Sequence, residues 1–211
     1  MSHKKYQKGF GLLEVLVSVV IIITILSAMV FIGRSSLNNS QYAQERAQAI
    51  YLAQEGIEII RQMRDSNWID GDNTTEWNSW DYDGNLFSEV QDGRCYKIND
   101  IITSPLSSPY YGRHNMVYTN LSNKGACKNA LKDPTKTGEW GKRTVNNLDY
   151  YRNVFIENVS GLMQSADTAE ETAYANSAYK ITVFVQWINR GSYRKEPVEV
   201  SEIITNWRPD Y

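Results

Sequence analysis

From Val15 to Gly33 the chain holds nothing ionisable, and this run constrains the fold more than any other stretch of the sequence. It reads V-L-V-S-V-V-I-I-I-T-I-L-S-A-M-V-F-I-G. At a rise of ~1.5 Å per residue it can cross a hydrocarbon core of roughly 30 Å as a single helix. Lys4, Lys5 and Lys8 precede it with no acid among them, a bias that keeps the basic side of a span in the cytoplasm. One acid, Glu14, sits just before the run, where a carboxylate is costly unless it lies near the interface or is paired.

Two ordinary explanations compete for this segment. A secretory signal peptide has a shorter apolar centre, about 7 to 15 residues, and ends in a small-residue cleavage site. A signal anchor fits the length, and in it Glu14 would sit in the first turn, favoured by the helix dipole and reaching for head groups. Neither explains why Gly9, Phe10 and Glu14 occur in step. The Gly9-Phe10 junction with Glu14 beyond it resembles the N-terminus of type IV prepilins and type II secretion pseudopilins. In that family a leader ending in Gly is removed before Phe, the new amine is methylated, and a Glu lies five residues into the cleaved chain. The resemblance implies processing at Gly9 and Phe10 by prepilin peptidase, and an assembly role for Glu14.

The span continues into a second helical pattern. Ala43, Ala47, Ile50, Ala53, Ile57 and Ile60 recur at spacings of three and four, while Gln44, Glu45, Gln54, Glu55, Glu58 and Gln62 take other faces. No proline interrupts it, Gly33 with Ser35 and Ser36 marks the expected bend, and the run 65–68 is expected to end the helix. The organisation expected is a leader over 1–9, a membrane or filament-core helix over 10–33, an amphipathic continuation over 34–64 and a head over 65–211. The fold class expected is α+β: a long N-terminal helix packed on a small antiparallel sheet, the lollipop that the resemblance implies. In the head, the helix is expected to present Ala47, Ile50, Ala53 and Ile57 to that sheet.

In the head, strands are expected at 94–98, 116–119, 151–159, 179–188 and 197–207. Tyr179, Ile181, Val183, Val185 and Trp187 alternate with polar residues, the pattern of a half-buried strand. Val198 and Val200 share a face with Ile203 out of phase, which predicts a bulge near Ser201. The turn Asn189-Arg190-Gly191-Ser192 joins these last two strands, and 160–177 reads as a polar, Ala-rich insertion with short-helix character. Leu52 to Glu58, Met63-Arg64-Asp65, Val185-Gln186-Trp187 and Ile204 to Arg208 resemble PilV-like minor pilins. The stretch from Asn67 to about Leu148 resembles nothing.

The inventory for catalysis is thin. Net charge is −2, and the two histidines are His3 and His114, so no nucleophile-and-base arrangement, phosphate loop or zinc set is visible. We expect no enzyme activity, no cofactor and no metal site. Between Asp65 and Asp92 the acids outnumber the bases, with turns at Asp70-Gly71, Asp83-Gly84 and Asp92-Gly93. That composition raises calcium, but the spacing fails the helix-flanked calcium loop and no ligands are assigned. Lys124, Lys128, Lys132, Lys136, Lys142 and Arg143 form a basic cluster, so DNA capture or adhesion at a filament tip is the second functional reading. Cys95 and Cys127 are the only cysteines; both fall in the exported head, which predicts a disulfide, with two free buried thiols as the alternative.

The leading reading is a minor pilin or pseudopilin subunit. Its implied partners are other pilin subunits in a helical filament, prepilin peptidase, an inner-membrane assembly platform and, before assembly, the lipid bilayer. The implied location is a single pass of the inner membrane with a cytoplasmic N-terminus, then a filament outside the cytoplasm.

Overall fold

The computed structural model describes residues 11–70, 79–82, 87–99, 115–131, 141–159, 178–189, 192–193 and 196–205. The expected turns at Asp70-Gly71, Asp83-Gly84 and 189–192, the insertion at 160–177, His3, His114, Lys132 and Lys136 lie wholly or partly outside them. The chain divides into two compact units, Met1–Glu45 and Arg46–Tyr211. Helix α1 (Leu12–Asp70) extends through the end of the first and the start of the second. It runs past the expected stop at 65–68, because no breaker occurs before Gly71. Helical hydrogen bonding also continues through Gly33, Ser35 and Ser36.

The second unit is α+β. Its strands are β1 (Ser79–Tyr82), β2 (Phe87–Glu89), β3 (Arg94–Asn99), β4 (Asn115–Tyr118), β5 (Gly141–Val145), β6 (Leu148–Asn158), β7 (Ala178–Asn189), β8 (Ser192–Tyr193) and β9 (Val198–Thr205). Helix α2 (Lys124–Ala130) follows β4. Among the described residues the strands form one sheet of order β2-β1-β4-β3-β6-β7-β8, with β5 also on β6 and β9 also on β7. Pairing is antiparallel except for a parallel bridge between β1 and β4.

The part of α1 from Arg46 packs on one sheet face through Ala49, Ala53, Gly56, Ile57, Ile60 and Met63, at steps of three and four with one adjacent pair. This corrects the expected stripe. Ala43 and Ala47 are exposed and Ile50 is only half-buried, whereas Ala53 and Ile57 are buried as expected. Alanine is a weak marker of a face: its methyl group is small enough to stand in water at little cost, so Ala43 and Ala47 pulled the predicted stripe to the wrong side. The helix approaches closely at Gly56, where a Cβ would lie 3.2 Å from both Arg152 Cδ and Val183 Cγ1.

The opposite face is covered as well. Cys95, Cys127, Leu131, Tyr151, Phe155 and Phe184 form a buried cluster beneath α2, and the disulfide between Cys95 and Cys127 joins β3 to α2 with Cα atoms 5.6 Å apart. Strand β7 is therefore buried on both faces, Thr182 and Gln186 included, which corrects the half-buried expectation. The layers run α1, sheet, α2. Asn123 starts α2, its side chain accepting a hydrogen bond from the Ala126 N–H at 2.6 Å.

Strand β9 carries no bulge. Its register on β7 runs unbroken from Val198 opposite Val185 to Thr205 opposite Ala178. Ile203 points outward, 48 % exposed, and the inward phase 198, 200, 202, 204 is kept by placing Glu202 toward the helix. A charge on that face is tolerated because Arg61 of α1 meets it.

Candidate processing and assembly segment

Gly9 and Phe10 lie outside the described residues, which open at Gly11, whose carbonyl accepts from the Glu14 N–H at 2.9 Å and the Val15 N–H at 3.3 Å. Glu14 thus occupies the first turn of α1, where unpaired N–H groups favour a carboxylate. Its side chain is exposed and has no ion pair among the described residues.

From Val15 to Ile32 the helix is apolar on every side. The branched residues from Val15 to Ile32 are about half exposed or more, and the most apolar stretch is buried by none of the described residues. Its hydroxyls are already satisfied: Ser18 donates to the Glu14 carbonyl at 2.7 Å, Thr24 to Ile21 at 2.8 Å and Ser27 to Ile23 at 2.7 Å. No side chain in this run demands water. The segment is long and apolar enough to cross a membrane, or to be covered by other apolar helices.

The head holds its own part of α1 along both flanks. On the β5–β6 side, the Tyr150 hydroxyl donates to Gln48 Oε1 at 2.7 Å and Arg152 Nη1 to the Leu52 carbonyl at 3.0 Å. Glu55 there receives Arg143 at 2.9 Å and stands 3.8 Å from Arg152. On the β9 side Arg61 bridges Glu202 and Glu58. Those two carboxylates, Glu202 foremost, raise the already high pKa of Arg61 and hold it a cation. An open groove of about 460 Å³ lies there, lined by Glu55, Glu58, Arg61, Val200 and Glu202 among others.

The basic cluster is neutralised where it can be followed. Lys124 pairs with Glu199 at 2.7 Å, Lys128 with Glu196 at 3.4 Å, Lys142 with Asp149 at 2.9 Å and Arg143 with Glu55. A surface built to collect phosphates would leave such cations open. Among the described residues no group of three His, Cys, Asp or Glu side chains is placed to hold a metal.

The sequence reading missed α2 and strands β1, β2, β5 and β8, and with them two features that bear on how α1 is held. Val145-Asn146-Asn147-Leu148 closes the β5–β6 hairpin with φ of 50° and 62° at the two asparagines, the left-handed pair a tight hairpin needs. An Asn-Asn pair between two apolar residues was the available signal. The other is the Arg61–Glu202 pair, which was visible only as an acid in phase with Val198 and Val200.

Residues 4–31 match the family described as the prokaryotic N-terminal methylation motif, and the match leaves the head uncovered. No curated protein and no solved structure matches the chain. The motif match supports a type IV pilin-like chain that is a substrate of prepilin peptidase and assembles with other pilin subunits. It points to a structural subunit, and the apolar helix suits a protein anchored in a membrane and then taken into a filament.

Proposed function

We propose that this chain is a minor pilin or pseudopilin, most like the PilV-type minor pilins, cut between Gly9 and Phe10 and methylated on the Phe10 amine. The observation that carries the reading is the methylation motif over 4–31, in step with Gly9, Phe10 and Glu14, followed by an apolar helix that finds no cover among the described residues. In this account 1–9 is the leader, the apolar part of α1 first holds the chain in the inner membrane with its N-terminus cytoplasmic, and the disulfide-bonded head lies outside.

Glu14 then acts in assembly. Cleavage creates an ammonium at Phe10 that stays charged when methylated, and the Glu14 carboxylate of a neighbouring subunit offsets it where helices exclude water. An unpaired carboxylate in that setting costs several kcal/mol, so the pair sets the register between subunits. The test is Glu14→Gln in the native host, followed in membrane and sheared-filament fractions. The reading predicts a normal, processed membrane pool with little filament-borne protein. Incorporation equal to that of the wild type would overturn the role of Glu14.

A further inference from the structure

Resting on the membrane reading above, we propose that one face of the apolar helix is a phospholipid site, with Arg34 holding the lipid phosphate and one acyl chain lying along the helix below it. An open groove of about 430 Å³ runs along Ile23, Leu26, Ser27, Val30, Phe31 and Arg34. These positions follow one another at steps of three and one, so that each has neighbours three and four residues away on one side of the helix.

Length and charge select the occupant. From Ile23 to Arg34 is roughly 16 Å at ~1.5 Å per residue, close to half of a hydrocarbon core of ~30 Å. The groove therefore spans the tail depth of one leaflet and ends in a cation at the height of its phosphates. Arg34 is exposed and has no ion pair or hydrogen bond among the described residues, unlike Arg61, Arg143 and Arg152 of the head. A guanidinium matches a phosphate diester with two parallel hydrogen bonds. The space beside it is open, since even a Cβ at Gly33 would meet nothing within 4 Å. The Ser27 hydroxyl, the polar group on the groove wall, is turned onto the Ile23 carbonyl, which leaves the wall apolar toward a tail.

The groove also lies away from Glu14. At ~100° per residue, Arg34 is rotated roughly 200° from Glu14, so the two charges mark nearly opposite sides of the helix. Ile21, Ile25 and Ile32 fall on the Glu14 side. One side is thereby available to neighbouring subunits while the other keeps its lipid.

The experiment uses the full chain in vesicles of phosphatidylglycerol and phosphatidylcholine, with a trace of phosphatidylglycerol carrying a photoactivatable acyl chain, and maps adducts by mass spectrometry. Expected are adducts at Ile23, Leu26, Val30 and Phe31 in excess over Ile21, Ile25 and Ile32. Arg34→Gln should cut that excess about fivefold, while Arg34→Lys keeps most of it and free inorganic phosphate does not compete. Uniform labelling around the helix, an excess unchanged by Arg34→Gln, or displacement by inorganic phosphate would each overturn the site. Alkaline extraction of the same vesicles separates the two failures: a chain released by alkali refutes the span and the site together, while a retained chain with uniform labelling refutes the site alone.

Discussion

Two alanines two residues apart on α1 should respond to the same substitution in opposite ways. Ala49 is fully buried and Ala47 is exposed. Ala49→Asp places a carboxylate between helix and sheet, where the nearby polar contacts, Tyr150 to Gln48 and Arg152 to Leu52, are already made. An uncompensated buried charge costs about 3 to 5 kcal/mol, a large share of the roughly 5 to 15 kcal/mol that holds a domain together. Ala47→Asp meets only solvent and should lose about 0.5 kcal/mol or so of helix propensity. The assay is urea unfolding of the full chain in mild detergent, followed by tryptophan fluorescence, to which the buried Trp187 contributes. A midpoint for Ala47→Asp near the wild type, with Ala49→Asp unfolded or far less stable, is expected. Equal losses at the two sites would refute the face assigned to the helix.

On β9, Ile203→Ser should change stability by no more than about 0.5 kcal/mol and Ile204→Ser should cost about 2 kcal/mol or more, because Ile203 is half exposed and Ile204 buried; the reverse order in urea unfolding would indicate a shifted register. Replacing both Cys95 and Cys127 by alanine opens a link of sequence separation 32, for which chain entropy gives about 3.5 to 4 kcal/mol; because both sulfurs are buried, the native chain should resist thiol labelling after mild reductant until denaturant is added. Asp149 is held below its ordinary pKa by the Lys142 ammonium first and the Thr144 hydroxyl second. A depressed carboxylate stabilises the fold above its unfolded pKa of about 3.9 and loses that contribution as pH falls through the lower folded value. Asp149→Asn should therefore be less stable than wild type near neutral pH and converge with it in acid; a gap that persists at the lowest pH would count against the pairing.

How much of this was readable in advance followed how strongly each residue commits to a place. The apolar run after Glu14 has one physical outcome, and α1 carries it. Strands β3, β4, β6, β7 and β9 fell within a few residues of expectation, since β-branched and aromatic residues cluster there. Faces were harder. Ala43 and Ala47 counted as apolar in the pattern yet carry too little area to choose a side, and the helix turned by the demands of Ile57, Ile60 and Met63. Ile203 looked like a core residue out of phase, but the phase belonged to Glu202, which an arginine far away in sequence makes tolerable. That pairing is non-local, and no window along the chain contains it. The same holds for the burial of Thr182 and Gln186, which flank Phe184 on the face where the cluster around Cys127 packs. In the N-terminal segment the reverse applies: Glu14 was legible because a lone acid beside an apolar span is conspicuous without any fold.

The central claim is that Met1 to Gly9 is a leader removed by prepilin peptidase, and it is tested most directly by intact-mass and N-terminal analysis of the chain recovered from membranes of its native host. The account predicts a chain beginning at Phe10 whose amine carries one methyl group, with Cys95 and Cys127 oxidised. A chain that begins at Met1, or one cut near Ala28 as a secretory signal would be, would contradict it.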